Sequence, residues 1–207
     1  MLAARLSEYA NRSDVTVLGI PRGGIPVACE VARVLAVSLD VLIVEKVYQP
    51  GVADVQVGTL TSCGYEAFDT EHIAAFGVDR RVAEREMARA RMDLAYKEHL
   101  YRGTNTPLDV RGRTIIVVYD GIVTGGTMLA AVAALRARGA TRVVVAAPVG
   151  TSNAQQLLKL VADECVCVMT PDPVYRIGFW YQDSPPVSDT SVLVLLQNAT
   201  RSCGAAA

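Results

Sequence analysis

The sequence predicts an α/β protein with a doubly wound, mostly parallel sheet and a small C-terminal hood. Three observations predict it. Strand-like and helix-like runs alternate from residue 15 to residue 169. The strand-like runs are apolar almost end to end, as strands covered by helices on both faces must be. Two of them end in glycine-rich turns that open directly into helices, at residues 19–26 and 120–127. The length of 207 residues, against about 150 per domain, fits one domain over 1–207, with an α/β core at 13–170.

The elements follow in order. Residues 2–10 have short amphipathic-helix spacing, and Val15 to Ile20 is a strand ending in Pro21-Arg22-Gly23-Gly24. Ile25 to Val37 is helical, with Pro26 in the first turn, where a missing N–H costs nothing. Leu39 to Val44 is a second strand. Pro50, Gly51 and Gly58 mark residues 47–58 as a loop, with a short strand leaving it over Val57 to Ser62. Residues 70–76 form a brief helix. A long one follows from Asp79 to Tyr101, where Ala83, Met87, Ala90, Leu94 and Tyr101 line one stripe. Residues 103–113 are a turn-rich connection. Thr114 to Tyr119 is a strand, Met128 to Arg138 a helix capped by Gly139, and Arg142 to Ala147 a strand. Asn153 to Ala162 is a helix and Cys165 to Met169 a strand. Residues 171–190, rich in Pro, Asp and aromatics, break the pattern and are expected to form an irregular, lid-like hood. The tail 201–207 is expected to fray.

Composition narrows the partners. Twenty basic and 21 acidic residues leave a net charge of -1, so no overall field favours nucleic acid or an anionic membrane. Mean hydropathy is +0.29, yet no apolar run approaches the roughly 20 residues of a membrane span. The N-terminus lacks a signal-peptide apolar region. The expectation is a cytoplasmic protein that acts on small molecules, with its apolar content leaving room for a homodimer face. Cys29, Cys63, Cys165, Cys167 and Cys203 fit no zinc or redox spacing and are read as reduced thiols. Cys165 and Cys167 would share one face of a strand. His72 and His99 lie on predicted helices, away from both glycine loops, and are read as structural.

Chemistry concentrates in the two loops. In Asp120-Gly121-Ile122-Val123-Thr124-Gly125-Gly126-Thr127 the glycines let backbone N–H groups converge on an anion. The following helix adds its positive end, and Thr124 and Thr127 add hydroxyls. A P-loop would need lysine where Thr127 stands, and the dinucleotide fingerprint G-x-G-x-x-G is absent. Asp120, a carboxylate beside a phosphate cradle, suits hydrogen bonds from sugar hydroxyls. Gly19-Ile20-Pro21-Arg22-Gly23-Gly24 repeats the strand–glycine–helix logic, with an arginine suited to bidentate phosphate contact. Two such loops in one sheet suggest a ligand with two separate phosphate groups.

Residues 117–128 (VVYDGIVTGGTM) resemble the 5-phosphoribosyl-1-pyrophosphate (PRPP) motif of the type I phosphoribosyltransferases. The resemblance extends to a bacterial group with PRGG-x-PVA near the start, a lysine before a PG loop, and a WYxD…VSD segment near the end. Here these are PRGGIPVA, Lys46 before Pro50-Gly51, and Trp180-Tyr181-Gln182-Asp183 through Val187-Ser188-Asp189. The resemblance implies a Mg-dependent pentosyl transfer from PRPP to a small acceptor, with pyrophosphate released. Val123, Thr124, Gly125, Gly126 and Thr127 would hold the 5-phosphate. Asp120 would hold the ribose hydroxyls, touching Mg²⁺ only through PRPP and water, and Tyr119 and Gly121 would also contact PRPP. Arg22, Gly23 and Gly24 would hold pyrophosphate. Residues 47–58 would be a mobile closing loop with Lys46 at its hinge, which makes Asp120, Arg22 and Lys46 the catalytic candidates. Residues 175–183 would form the hood, whose Phe179, Trp180, Tyr181 and Asp183 meet the acceptor or pack on one another.

Three positions depart from the family pattern. Tyr119 replaces the first of two adjacent acids, Val123 stands where some relatives carry an aspartate base, and Glu45 replaces a common arginine. If the acceptor needs deprotonation, Asp183 or a substrate group would supply the base. The acceptor is accordingly a nucleobase-like heterocycle, or an amine or hydroxyl of a specialised metabolite. A non-catalytic PRPP-binding regulator is the alternative, and Tyr119 is the residue that favours it.

Overall fold

The computed structural model describes residues 1–52, 54–103, 109–174 and 176–204, with residues 200–204 by main chain only. A short helix α1 (Leu2–Arg5) and a 3-10 turn over Ser7–Tyr9 precede β1 (Val15–Gly19), α2 (Gly24–Leu35) and β2 (Ser38–Val41). The chain then forms β3 (Val44–Tyr48), β4 (Gln56–Thr61) and β5 (Glu66–Phe68), followed by α3 (Thr70–Ala75) and α4 (Arg80–Arg102). Alternation resumes with β6 (Thr114–Val118), α5 (Gly126–Ala137), β7 (Arg142–Val149), α6 (Ser152–Leu158) and β8 (Glu164–Met169). A 3-10 turn over Ile177–Trp180 and α7 (Asp189–Gly204) complete the described chain.

The main sheet is parallel, in the order β2-β1-β6-β7-β8. Its central strand shows why the runs were apolar. Ile115, Ile116, Val117 and Val118 are all fully buried. Ile115 and Val117 enter the layer under α5, with Met128 and Leu135, whereas Ile116 and Val118 meet Ala28, Val31 and Leu35 of α2. Each such side chain contributes roughly 1.5–3 kcal/mol of burial. Register places the site: Gly19 pairs with Val118, and Val118 with Ala146. β1 and β6 are therefore adjacent and end level, and both glycine loops leave the same carboxyl edge.

The predicted second strand, Leu39 to Val44, divides between two sheets. The Leu42 amide donates to Gly19 O at 3.0 Å and the Ser62 amide to Ile43 O at 2.9 Å. There the chain leaves the parallel sheet and enters a second, antiparallel one in the order β3-β4-β5. The expected loop 47–58 is corrected by the same sheet. Val47 pairs with Gly58 and Lys46 with Thr59, so the connection shrinks to residues 49–55, of which Ala53 lies outside the described residues. Lys46 sits inside a strand, not at a hinge. The small sheet lies between α5 and α4, and α4 buries the predicted stripe of Ala83, Met87, Leu94 and Tyr101. A side chain on Gly58 would meet Met87 Sδ at 2.5 Å, so glycine there admits close helix packing.

Two further corrections fall at the C-terminus. Residues 189–204 form α7, which removes 201–204 from the predicted tail; 205–207 lie outside the described residues, as do 104–108 of the predicted connection. Ser188 starts α7 by accepting from the Ser191 amide at 3.1 Å, and Val192, Leu195 and Leu196 give it an apolar face. The hood is not wholly irregular, since Ile177–Trp180 form a 3-10 turn.

Candidate functional site

The cradle begins where β6 ends. The Tyr119 amide donates to Ala146 O at 3.1 Å and the Ile122 amide to Val149 O at 3.0 Å, so the loop hangs on β7. From below, the Thr151 amide donates to Ile122 O at 2.9 Å, and the Thr151 hydroxyl donates to Val123 O at 2.8 Å. Gly125 then takes φ +82°, a left-handed conformation that side chains resist, and turns the chain into α5. The first turn of α5 has no side-chain cap, which leaves its N–H groups and dipole available to an anion. Residues 119–128 and Ile177 enclose a cavity of about 240 Å³.

The second glycine loop is pressed against the first. The Ile20 amide donates to Val118 O at 3.0 Å. A methyl group on Gly23 would sit 2.1 Å from Asp120 Oδ2, and one on Gly24 would sit 2.9 Å from Val118 O. Only glycine permits this approach. Arg22 is exposed on the same loop. Its charge reaches the Tyr101 hydroxyl, whose proton goes to Asp189 Oδ1 at 2.7 Å.

Lys46 enters from the antiparallel sheet. Its Nζ lies 3.4 Å from where a side chain on Gly126 would begin, so the ammonium stands over the start of α5. The neighbouring Glu45 points to the opposite face of the strand and pairs with Lys97 of α4. Its negative charge is thereby held off the cradle. That geometry accommodates a residue that looked anomalous in the sequence.

The hood closes the cavity from the other side. Ile177 packs on Gly121, where a methyl group would meet Cδ1 at 2.3 Å. The Tyr181 hydroxyl donates to Asp120 O at 2.6 Å, so Tyr181 fastens the hood to the cradle. Phe179 is 73% exposed and Trp180 39%; the Arg176 guanidinium lies 5.4 Å from the Phe179 ring centre. Asp183 is exposed. These three side chains stand at the hood rim and do not line the cavity.

Burial raises the Asp120 pKa, opposed in part by backbone N–H groups of Asp120 and Gly121. It also raises that of Tyr119, helped by the Asp120 charge and by Tyr48, and that of Tyr181, again beside Asp120. A carboxylate with little water invites hydroxyl donors or a cation. The structure thus brings residues 119–127, Gly23, Gly24, Lys46 and Tyr181 together. Ile177, Thr151, Tyr101 and Asp189 were not among the candidates. Asp189 and Ile177 fell within the Val187-Ser188-Asp189 motif and the expected hood, and Thr151 carried a local signal as an N-cap whose hydroxyl accepts from the Ala154 amide at 3.1 Å.

Residues 1–172 match the family model described as phosphoribosyl transferase domain. The chain belongs to that family. It is 33% identical over 200 residues to a "Putative phosphoribosyl transferase" of Mycobacterium tuberculosis, covering 97% of this chain and 45% of the relative. It therefore spans under half of that protein's length. A solved structure, TT1426 from Thermus thermophilus, is 34% identical, with a TM-score of 0.77 and 95% of each chain covered. A ribose-phosphate pyrophosphokinase of Methanopyrus kandleri is 29% identical over 183 residues, covering 77% of this chain and 61% of that one. Among the described residues, no helix is long and apolar enough to cross a membrane.

Proposed function

We propose that this transferase moves the 5-phosphoribosyl group of PRPP to a small-molecule acceptor and releases pyrophosphate. The observation that carries the reading is the contact between the two glycine loops, with Gly23 against Asp120. A ligand seated on the cradle would meet Arg22 and the Gly23–Gly24 amides within one sugar's length. The α5 N-terminus, Thr124, Thr127 and Lys46 hold the 5-phosphate. Asp120 accepts hydrogen bonds from the ribose hydroxyls, and Tyr119 adds a phenol. Arg22 and the neighbouring amides bind the diphosphate and stabilise the charge that grows on it as the anomeric C–O bond stretches.

The donor set fits magnesium carried on the diphosphate. Asp120 is one buried carboxylate beside the ribose position, and Mg²⁺ is commonly held by one or two carboxylates plus substrate phosphates. When bound, the ion would neutralise charge on the departing diphosphate. Ile177 and Tyr181 exclude water from one side of the sugar. The rim residues Phe179 and Trp180 offer faces to a planar heterocycle, and Asp183 offers a base; an amine or hydroxyl acceptor fits the same rim. A small-molecule substrate agrees with the near-zero net charge.

The test is to incubate the protein with PRPP, Mg²⁺ and a panel of nucleobases, amines and hydroxyl compounds while following pyrophosphate. The expected result is acceptor-dependent release that falls about 10²–10³-fold in Arg22→Ala, the usual loss when one well-placed donor is removed. Tight PRPP binding with no release under any acceptor would favour the regulatory reading that Tyr119 supports.

A further inference from the structure

The chain between β6 and α5 leaves strand geometry at one point. In an extended strand, successive carbonyls alternate in direction. Here two in a row point at the same residue. Ile122 O accepts from the Thr151 amide at 2.9 Å, and Val123 O accepts from the Thr151 hydroxyl at 2.8 Å. Both peptide groups are trans, and a planar trans peptide holds its N–H opposite its C=O. The Val123 and Thr124 amides therefore point away from Thr151, side by side. Ile122, one residue earlier, still gives its own amide to Val149 O at 3.0 Å. From Val123 the donors turn off β7: among the described residues, the amides of Val123, Thr124 and Gly125 have no protein acceptor. All three residues line the cavity of the cradle. Successive N–H groups turned to one side make a concave anion site.

The Thr151 hydroxyl is itself fixed. It accepts from the Ala154 amide at 3.1 Å, so its one proton is left for Val123 O. Ala154 and Leu158 root α6 in the core beneath α5. Thr151 does not line the cavity, and it stands outside the glycine motif.

We infer that Thr151 is a positioning residue for the cradle: by holding two successive carbonyls it turns the Val123 and Thr124 amides together onto a phosphomonoester. These amides, with the α5 N-terminus and the hydroxyls of Thr124 and Thr127, supply more donors than the two oxygens of a carboxylate can use. They suit the three terminal oxygens of a phosphomonoester. A side chain that cannot donate at residue 151 releases the Val123 carbonyl, and the Thr124 amide is then free to swing out of line. The inference concerns the same site as the proposed transfer. Its effect on turnover rests on that reading, whereas phosphomonoester binding does not.

Ribose 5-phosphate carries the phosphomonoester and no diphosphate, so it is the probe. It is titrated into isotope-labelled full-length protein, with amide resonances and heat as readouts. The Val123 and Thr124 amide resonances should move to higher frequency on binding, as donors to an anion do. Thr151→Val keeps the shape without the hydroxyl and should bind about tenfold more weakly, whereas Thr151→Ser should bind within about twofold of the parent. If PRPP turns over, Thr151→Val should raise KM for PRPP by a similar factor with kcat little changed, because the phosphomonoester does not react. No binding by the parent, unmoved Val123 and Thr124 resonances at saturation, equal binding by parent and Thr151→Val, or an equal loss in Thr151→Ser would overturn the inference. The resonance test uses the parent protein, so it decides even where Thr151→Val fails to fold. Thr151-dependent binding without pyrophosphate release under any acceptor would defeat the transfer and leave this inference standing. Release with unmoved resonances would do the reverse.

Discussion

The two glycine loops share an edge and a logic but not a mode of support. The loop at 119–127 is held by β7, the Thr151 hydroxyl, Ile177 and Tyr181. The loop at 20–24 is held chiefly by its fit against the first, through Gly23 and Gly24, while Arg22 extends into solvent. The difference suits the two ends of the proposed donor. The phosphomonoester end stays fixed through the reaction and calls for a prebuilt seat. The diphosphate end departs, and calls for a contact that can be made and released.

The largest expected effect breaks the contact between the loops. Gly23→Ala drives a methyl into Asp120, and kcat/KM should fall about 10²-fold or more, the scale of a misplaced reacting group. Circular dichroism should stay unchanged; near-normal turnover would show that the loops need not touch. A smaller effect separates Lys46 from its neighbour. Lys46→Met should weaken PRPP binding by about 10–100-fold, the loss of a charge-assisted contact worth ~1.5–3 kcal/mol. Glu45→Gln, whose partner Lys97 lies on α4, should leave binding close to normal. Equal losses in both would mean that Lys46 does not reach the cradle.

A third change tests the hood's part in the better-supported loop. Tyr181→Phe removes one hydrogen bond, worth about 1 kcal/mol, and should lower the urea midpoint with little change in slope. An unchanged midpoint would detach the hood from the cradle. The smallest effect concerns Asp120 and has a definite sign. Burial raises its pKa in the folded chain, so the native state holds this proton more tightly than the unfolded state does. Stability is therefore lost as pH rises from the ordinary carboxylate range, about 4, through the raised value. Asp120→Asn should be more stable than the parent above that window, and the gain should vanish below it. A variant less stable at neutral pH would show that the carboxylate is already compensated.

What could be read from the sequence follows the same division. The parallel sheet announced itself because Val15–Gly19, Thr114–Val118 and Arg142–Val149 are buried on both faces over most of their length and so are apolar apart from Thr16, Thr114 and Arg142. The shape of the cradle was legible because it is set by backbone: Gly125 takes φ +82°, and Gly23 and Gly24 leave no room for a side chain. The antiparallel sheet was hidden. β3 carries Glu45 and Lys46 in a strand only half buried, and Pro50 and Gly51 drew the reading towards a longer loop than the hairpin has. The supports from Ile177, Thr151 and Tyr181 are long-range, and no local pattern encodes a tyrosine hydroxyl reaching a carbonyl 61 positions away. Helix α7 was missed because its apolar face, centred on Val192, is defined by the α2 and α4 surfaces that receive it.

The most direct measurement of the central claim is a calorimetric titration of PRPP, with Mg²⁺, into the protein and into Gly23→Ala. Saturable heat at one site per chain, weakened in the variant, is the predicted result. Absence of heat at millimolar PRPP, or identical binding to both proteins, would contradict a ligand gripped between the two loops.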